Sequence, residues 1–185
     1  DARRQLGVAD DRFVYLFFGN ARAYKGIEHL VAAFLEHAKE DAVLLLMMRK
    51  AFDVAYAEEV EGLAQKDARI KVFTSEYFPE ADFQIYINAA DVAVFPFAEV
   101  LTSGSAITAL SFGKPVVMPQ LGCLPELIDD RMGVIYDAKS GDGLGSALAE
   151  VRTLNIDEAN RATMARALEL NWKGIAEKLA HVYRA

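Results

Sequence analysis

The sequence predicts an α/β protein, in which helices flank a doubly wound parallel sheet and a helical C-terminal tail follows it. Three observations predict this class. Six short apolar runs recur along the chain, stretches with helical periodicity separate them, and the residues after the sixth run contain only helical periods. Strands that alternate with helices form right-handed βαβ units, and such units build a parallel sheet.

The six apolar runs are rich in β-branched and aromatic residues and do not alternate with polar ones. This pattern is typical of strands that are buried on both faces, as in a parallel sheet covered by helices. In chain order, the predicted strands are residues 13–18, 43–48, 70–73, 92–95, 116–118 and 134–136.

The stretches between these runs carry apolar residues at helical spacing, which predicts amphipathic helices. One apolar face consists of Ile27, Leu30, Val31, Phe34 and Leu35, and another of Leu144, Ala147, Leu148 and Val151. Further helices are predicted at residues 54–64, 81–90 and 105–112.

The tail is predicted to contain two helices. Asp157 has the side chain of an N-cap and would start a helix at residues 158–170. A last helix at residues 172–183 would bury Ile175, Leu179 and Tyr183.

Composition limits the class of protein. We expect residues 1–185 to form one domain, and the net charge of -7 argues against broad nucleic-acid binding, which depends on cations that contact phosphates. No histidine or acidic cluster has metal-ligand spacing, so neither a metal site nor a cofactor is predicted. The single cysteine, Cys123, excludes an internal disulfide, and we expect a small packed side chain. The single cysteine also fits a reducing compartment, and we expect a cytoplasmic protein. Because the chain begins at Asp1 without a methionine, we expect a fragment of a longer protein.

The turn after the first predicted strand carries two cations. Arg22 and Lys25 lie between Gly19 and Gly26, where an open α/β sheet places its ligand. Arginine offers a planar fork of donors to phosphate oxygens, and lysine supplies a mobile point charge. The turn therefore predicts a phosphate site, although two solvated charges on a loop would give the same pattern.

A second turn precedes the predicted helix at residues 105–112. Thr102, Ser103 and Ser105 are N-cap residues by type, so free backbone N–H groups of this helix start would favour an anion. Glu99 could accept hydrogen bonds from sugar hydroxyls. Ordinary helix capping and an exposed Glu99 would explain the same residues.

The loop after the third predicted strand offers a pocket for a nucleobase. Thr74 and Ser75 could hydrogen-bond a base edge, and Tyr77 or Phe78 could line the pocket. Plain core packing of the two aromatic residues would fit the sequence equally well.

Five segments, in this order, resemble the C-terminal, donor-binding domain of retaining glycosyltransferases of the group 1 type, which have the GT-B fold and use nucleotide-sugar donors. The resemblance covers nearly the whole chain, and the order of the segments is more specific than any one of them. They are the Gly19…Arg22…Lys25-Gly26 turn, Ala89-Ala90-Asp91-Val92, Gly113-Lys114-Pro115-Val116-Val117, Gly122-Cys123-Leu124-Pro125-Glu126 followed by Gly133, and Trp172 with Ile175-Ala176.

The resemblance implies a reaction and its residues. The chain would be the Rossmann-like half of a GT-B enzyme that binds a UDP- or GDP-sugar and transfers the sugar with retention and without a metal. The acceptor would be a glycan or a lipid-linked molecule, and a missing N-terminal domain would bind it; attachment to the inner face of a membrane stays open. Arg22 and Lys25 would be the catalytic residues that stabilise the departing diphosphate. The donor-binding residues would be Gly19, Glu99, Thr102, Ser103, Gly104, Ser105 and Thr108.

The chain departs from the family pattern in three places. The family has two glutamates around the second turn, one associated with the donor sugar and the other with the ribose hydroxyls. Val100 stands at the first position, beside Glu99, and Thr108 stands at the second. The pair Arg49-Lys50 replaces a glycine-rich turn after the second strand. Two other functions therefore stay open: a GT-B-like sugar-nucleotide epimerase, and a non-catalytic module that binds a nucleotide or a partner.

Overall fold

The computed structural model describes residues 1–184, and its centre is a six-stranded, all-parallel sheet. The strand order is β3-β2-β1-β4-β5-β6, so the direction of winding reverses between β1 and β4. All six predicted strands are confirmed, each end lying within two residues of the prediction. The strands are β1 (Phe13–Asn20), β2 (Ala42–Arg49), β3 (Ile70–Ser75), β4 (Val92–Val94), β5 (Val116–Pro119) and β6 (Gly133–Tyr136).

Helices cover the sheet, and the fold class is therefore the predicted one. The predicted helices are confirmed to within two residues at each end, and a short first helix was not predicted. The helices are α1 (Ala2–Gln5), α2 (Ile27–His37), α3 (Val54–Ala64), α4 (Glu80–Ala89), α5 (Gly104–Ser111), α6 (Gly143–Glu150), α7 (Ile156–Glu169) and α8 (Trp172–Arg184). Helix α2 packs against α3 and α6, α1 packs against α4, and α5 packs against α7.

Three predictions of detail are wrong. Helix α7 begins two residues earlier than expected because Asn155, not Asp157, is its N-cap. The Asn155 side chain accepts a hydrogen bond of 3.2 Å from the Glu158 N–H. In α8, the side chains expected to be buried are exposed to solvent. The exposed fraction is 44% for Ile175, 53% for Leu179 and 82% for Tyr183. The periodicity of a helix identifies its apolar face but not a surface that covers it. Cys123 is also exposed rather than packed.

Asp91 joins three elements where the winding reverses. Its carboxylate accepts a 2.7 Å hydrogen bond from the Val14 N–H in β1 and two 2.8 Å hydrogen bonds from the guanidinium of Arg3 in α1. Arg3 also donates to the Ala89 carbonyl oxygen at the end of α4. Bidentate, charge-assisted hydrogen bonds are the stronger kind, so Asp91 fixes the start of β4 against β1.

We expect Asp91→Ala to lower the free energy of unfolding by about 2–3 kcal/mol, because it leaves a half-buried guanidinium and a strand N–H without their acceptor. Asp11→Ala is the matched control, since the Asp11 side chain is exposed and its contact with Arg12 is 3.9 Å long. The control should change stability by less than about 0.5 kcal/mol. Urea unfolding of both variants measures the difference, and equal losses would contradict this role of Asp91.

Candidate functional site

The candidate site lies at the carboxyl ends of β1 and β4. These two strands are neighbours, and the connections from them leave in opposite directions, which opens a crevice beyond their ends. Ligands of open α/β sheets bind in this crevice. The loops that follow β1 and β4, together with the first turn of α5, contain most of the predicted site residues, so the topology brings the first and second predicted turns together.

The loops after β1 and β4 touch through their backbones. Gly26 has a φ of 63°, and a methyl group at this position would overlap the carbonyl oxygen of Pro96. The Ala98 N–H donates a 3.0 Å hydrogen bond to the Tyr24 carbonyl oxygen across the same junction. Glycine is therefore required at Gly26 for two reasons, its left-handed backbone and the close approach of the second loop.

The loop after β5 holds the second loop from the other side. The Cys123 N–H donates a 2.8 Å hydrogen bond to the Leu101 carbonyl oxygen. Gly122 has a φ of 51°, and a side chain there would overlap the carbonyl oxygens of Val100 and Leu101. The segment that carries Glu99 and Thr102 is thus fixed between two neighbouring loops, while both of these side chains stay exposed.

A single 3-10 turn (Ala23–Lys25) joins β1 to α2; Arg22 immediately precedes it and Lys25 is its last residue. Both side chains are half-buried, and neither is paired with a carboxylate within residues 1–184. The Lys25 ammonium lies 4.4 Å from the centre of the Phe97 ring. Burial, and secondarily the positive charge of Arg22, lower the pKa of Lys25 below its usual value. Two close cations without a counter-charge favour an anionic ligand.

The start of α5 faces the end of β1. Ser103 is the N-cap, and its hydroxyl accepts a 3.2 Å hydrogen bond from the Ala106 N–H. The Gly104 and Ser105 N–H groups have no acceptor within the described part of the chain. A methyl group on Gly19 would lie 3.8 Å from the Ser105 hydroxyl oxygen, so the start of α5 lies close to the end of β1. A helix N-terminus of this kind stabilises an anion.

Thr108 lies one turn further along α5. Its hydroxyl donates a 2.9 Å hydrogen bond to the Gly104 carbonyl oxygen, and its oxygen keeps lone pairs for a ligand. Position 108 and position 112 share one face of the helix. Phe112 on that face lines a cavity, so Thr108 lies toward the same side of α5.

A cavity of about 360 Å³ continues from the crevice toward α4 and α5. Its walls are mostly apolar, and Arg49 and Glu80 supply charged groups. The predicted Gly19 and Phe78 both line it, whereas most of the other lining residues were missed because they are far apart in sequence. These are Phe18, Met47, Phe83 and Phe112.

The three residues predicted to contact a nucleobase do not line this cavity. Thr74 lies with Ile70 and Val72 in a groove beside α3, because alternate residues of β3 face opposite sides of the sheet. The Ser75 hydroxyl donates a 2.7 Å hydrogen bond to the Tyr77 carbonyl oxygen and closes a local turn. Tyr77 is 62% exposed at the rim, with its ring centre 6.0 Å from the guanidinium carbon of Arg49.

Searches for two other kinds of site found nothing in the residues that the structure describes. No three side chains of His, Cys, Asp or Glu converge as metal ligands between residues 1 and 184. Of the helices described above, none is both long and apolar enough to cross a bilayer.

Comparisons with known proteins show the family and the fold of this chain. A family model described as glycosyl transferases group 1 matches residues 12–153. The alpha-maltose-1-phosphate synthase of Mycolicibacterium smegmatis is 30% identical over 97% of this chain and 50% of its own length. The sucrose-phosphate synthase of Thermosynechococcus elongatus superposes with a TM-score of 0.81 at 27% identity, over 100% of this chain and 48% of that one. This chain thus spans about half the length of the curated relatives it matches.

A more distant structure shares the fold. Anabaena Alr3699/HepE, solved in complex with UDP and glucose, superposes with a TM-score of 0.76 at 21% identity. The superposition covers 97% of this chain and 51% of the Anabaena protein.

We expect Gly26→Ala to lower the free energy of unfolding by about 2 kcal/mol or more. The left-handed backbone conformation by itself costs a residue with a side chain about 1–2 kcal/mol, and the overlap with the Pro96 carbonyl oxygen adds to this cost. Gly62→Ala is the control, because a methyl group there meets no atom within 4 Å on an exposed part of α3. This control should raise the free energy by about 0.5–1 kcal/mol. Chemical unfolding compares the two variants, and a neutral Gly26→Ala would show that the loop junction is not tight.

The position of Arg22 can be tested through Lys25. Because the charge of Arg22 helps to lower the pKa of Lys25, Arg22→Gln should raise that pKa toward the ordinary lysine value. Arg161→Gln, on the exposed surface of α7, should leave it unchanged. Titration of the Lys25 side chain by heteronuclear NMR measures the effect. A fall, or no change, in the pKa of Arg22→Gln would place the two cations too far apart to act on one ligand.

Proposed function

Because this chain belongs to the glycosyl transferases group 1 family, we propose that it is the donor-binding domain of a glycosyltransferase and binds a nucleotide-diphosphate sugar at the carboxyl edge of its sheet. One observation carries the proposal: Arg22 and Lys25, which have no acidic partner in residues 1–184, follow the end of β1, and that strand end approaches Ser105 at the start of α5, where two N–H groups are free. A diphosphate supplies the negative charge and the oxygen acceptors that both groups of donors require.

The reaction would depend on the same cations. When the bond between the sugar and the diphosphate breaks, negative charge builds on the departing phosphate oxygens. Arg22 and Lys25 would stabilise that charge more strongly in the transition state than in the bound donor, which is the condition for catalysis. We propose that they do this without a metal ion and that the sugar is transferred with retention of configuration, as in the family that the sequence resembles.

The nucleoside would occupy the cavity next to Gly19. Its apolar walls suit the face of a base, and Arg49 with Glu80 would contact polar edges. Support for a uridine nucleotide comes from Anabaena Alr3699/HepE, whose structure contains UDP; guanosine remains the other candidate base. Tyr77 and Ser75 would lie at the rim of the cavity, with Thr74 further away on the α3 side.

The ribose and the donor sugar would lie along α5. Thr108 would accept a hydrogen bond from a ribose hydroxyl, in place of the family's glutamate, while Thr102, Ser103, Gly104 and Ser105 would contact the phosphates and the sugar. Glu99 is exposed beside them and would accept from sugar hydroxyls. The acceptor, a glycan or a lipid-linked molecule, would bind in the cleft against an N-terminal domain of the same cytoplasmic protein.

A non-catalytic nucleotide-binding role is the second candidate. The observation that favours it is the absence of a carboxylate at Val100 and Thr108, where the family has two glutamates. A product assay on the full-length protein separates the candidates. Transfer of the sugar supports the glycosyltransferase, an epimerised donor would indicate an epimerase, and binding without any product would favour the non-catalytic role.

The double variant Arg22→Ala/Lys25→Ala should weaken binding of UDP or GDP by roughly a hundredfold or more, because each lost charge-assisted hydrogen bond costs about 1.5–3 kcal/mol. Isothermal titration calorimetry on this protein measures the affinity.

The matched control is Arg161→Ala/Lys66→Ala, which removes the same two charge types from exposed positions on and after other helices. Its affinity should stay within about twofold of the original at physiological salt, where distant surface charges are screened. Equal affinities of the site variant and the control variant would overturn the assignment of the first turn.

A further inference from the structure

Phe52, in the loop after β2, stacks against the predicted phosphate-binding arginine. The Arg22 guanidinium carbon lies 4.6 Å from the centre of the Phe52 ring, and that of Arg49 lies 5.7 Å from the same centre. Both distances are within about 6 Å, the usual limit for a cation–π interaction. The Phe52 ring is 52% exposed, so packing in the core does not explain its position.

The backbone that carries Phe52 is fixed independently of this stack. The next residue, Asp53, is the N-cap of α3 and accepts a 3.0 Å hydrogen bond from the Tyr56 N–H. The Tyr56 hydroxyl in turn accepts a 2.9 Å hydrogen bond from the Ile27 N–H at the start of α2 and donates to the Glu28 carboxylate. The loop after β2 is therefore attached to the helix that follows the Arg22 turn.

An aromatic ring and a carboxylate hold a guanidinium in different ways. A carboxylate would occupy two of the five N–H donors of Arg22 and cancel its charge, so fewer donors and less charge would remain for a ligand. The face of a ring attracts the cation through its quadrupole and leaves the donor edge of the fork free. The ring also restricts a side chain whose ordering upon binding would otherwise cost conformational entropy.

We propose that Phe52 is a positioning residue, which holds the Arg22 guanidinium in its binding orientation before the diphosphate arrives. This inference rests on the proposed function, because it assigns Arg22 a phosphate ligand. It adds a residue that does not touch the ligand and acts only through Arg22. Arg49 lies 5.7 Å from the centre of the same ring, near the limit of about 6 Å for a cation–π contact, so the closer Arg22 is the cation that the ring holds.

The test compares Phe52→Leu, which keeps an apolar side chain but removes the ring, with Phe52→Tyr, which keeps the ring. Calorimetry with UDP and GDP should show that Phe52→Leu binds roughly three- to thirtyfold more weakly, the range expected for a cation–π contact. Phe52→Tyr should bind within about twofold of the original. In the Arg22→Ala background, Phe52→Leu should cause no further loss, since its effect passes through that arginine.

Two further measurements distinguish positioning from general damage. NMR titration with uridine and guanosine should give equal affinities for the original protein and Phe52→Leu, because a nucleoside has no diphosphate. In the protein without ligand, Phe52→Leu should move the Arg22 Hε resonance, which lies near the ring. A loss of nucleoside affinity in parallel with the diphosphate, or an unmoved Hε resonance, would overturn the role of Phe52.

The outcomes separate this inference from the proposed function. If the original protein binds neither UDP nor GDP, the proposed function fails, and the inference fails with it. If the original protein binds one of them and Phe52→Leu binds it equally well, the inference alone is wrong. A further loss from Phe52→Leu in the Arg22→Ala background would also contradict it, because Phe52 would then act on something other than Arg22.

Discussion

The candidate site depends on one backbone contact, the approach of the loop after β1 to the loop after β4 at Gly26 and Pro96. The left-handed conformation of Gly26 and the absence of a side chain allow this approach, and the hydrogen bond from Ala98 to Tyr24 holds it. The contact determines which side chains can reach one ligand. With the loops together, Lys25 lies over Phe97 from the second loop, and Ser105 at the start of α5 lies close to Gly19 at the end of β1.

The loops converge because the sheet reverses its winding between β1 and β4, and Asp91 fixes the two strands against each other at their opposite ends. The result is a positive site on a chain whose net charge is -7. Its cations are held by aromatic rings, Phe97 for Lys25 and Phe52 for Arg22, rather than by carboxylates. This arrangement keeps their charge available. The pKa of Lys25 is lowered first by the burial of its ammonium group and then by the positive charge of Arg22.

The sheet and two of the loops that form the candidate site could be predicted from the sequence. The strands were predictable because burial on both faces gives continuous apolar runs, and the first two turns were predictable because glycines, cations and capping residues occur at strand ends. The cavity could not be predicted, because only the crossover connections bring its lining residues Met47, Phe83 and Phe112 together. The side chains of Thr74 and Ser75 point to opposite faces of the sheet because both residues belong to β3. The prediction treated them as loop residues and therefore placed both in one pocket. The exposed face of α8 shows that helical periodicity cannot supply the surface that covers it.

The central claim is that one diphosphate bridges the first turn and the start of α5. A crystal structure of this protein with UDP or GDP tests it most directly. The account predicts that phosphate oxygens lie within hydrogen-bond distance of the Arg22 guanidinium, the Lys25 ammonium and the Ser105 N–H, with the nucleoside in the cavity beside Gly19. A nucleotide bound elsewhere, such as the groove beside α3 that contains Thr74, with Arg22 and Lys25 free of phosphate, would contradict it.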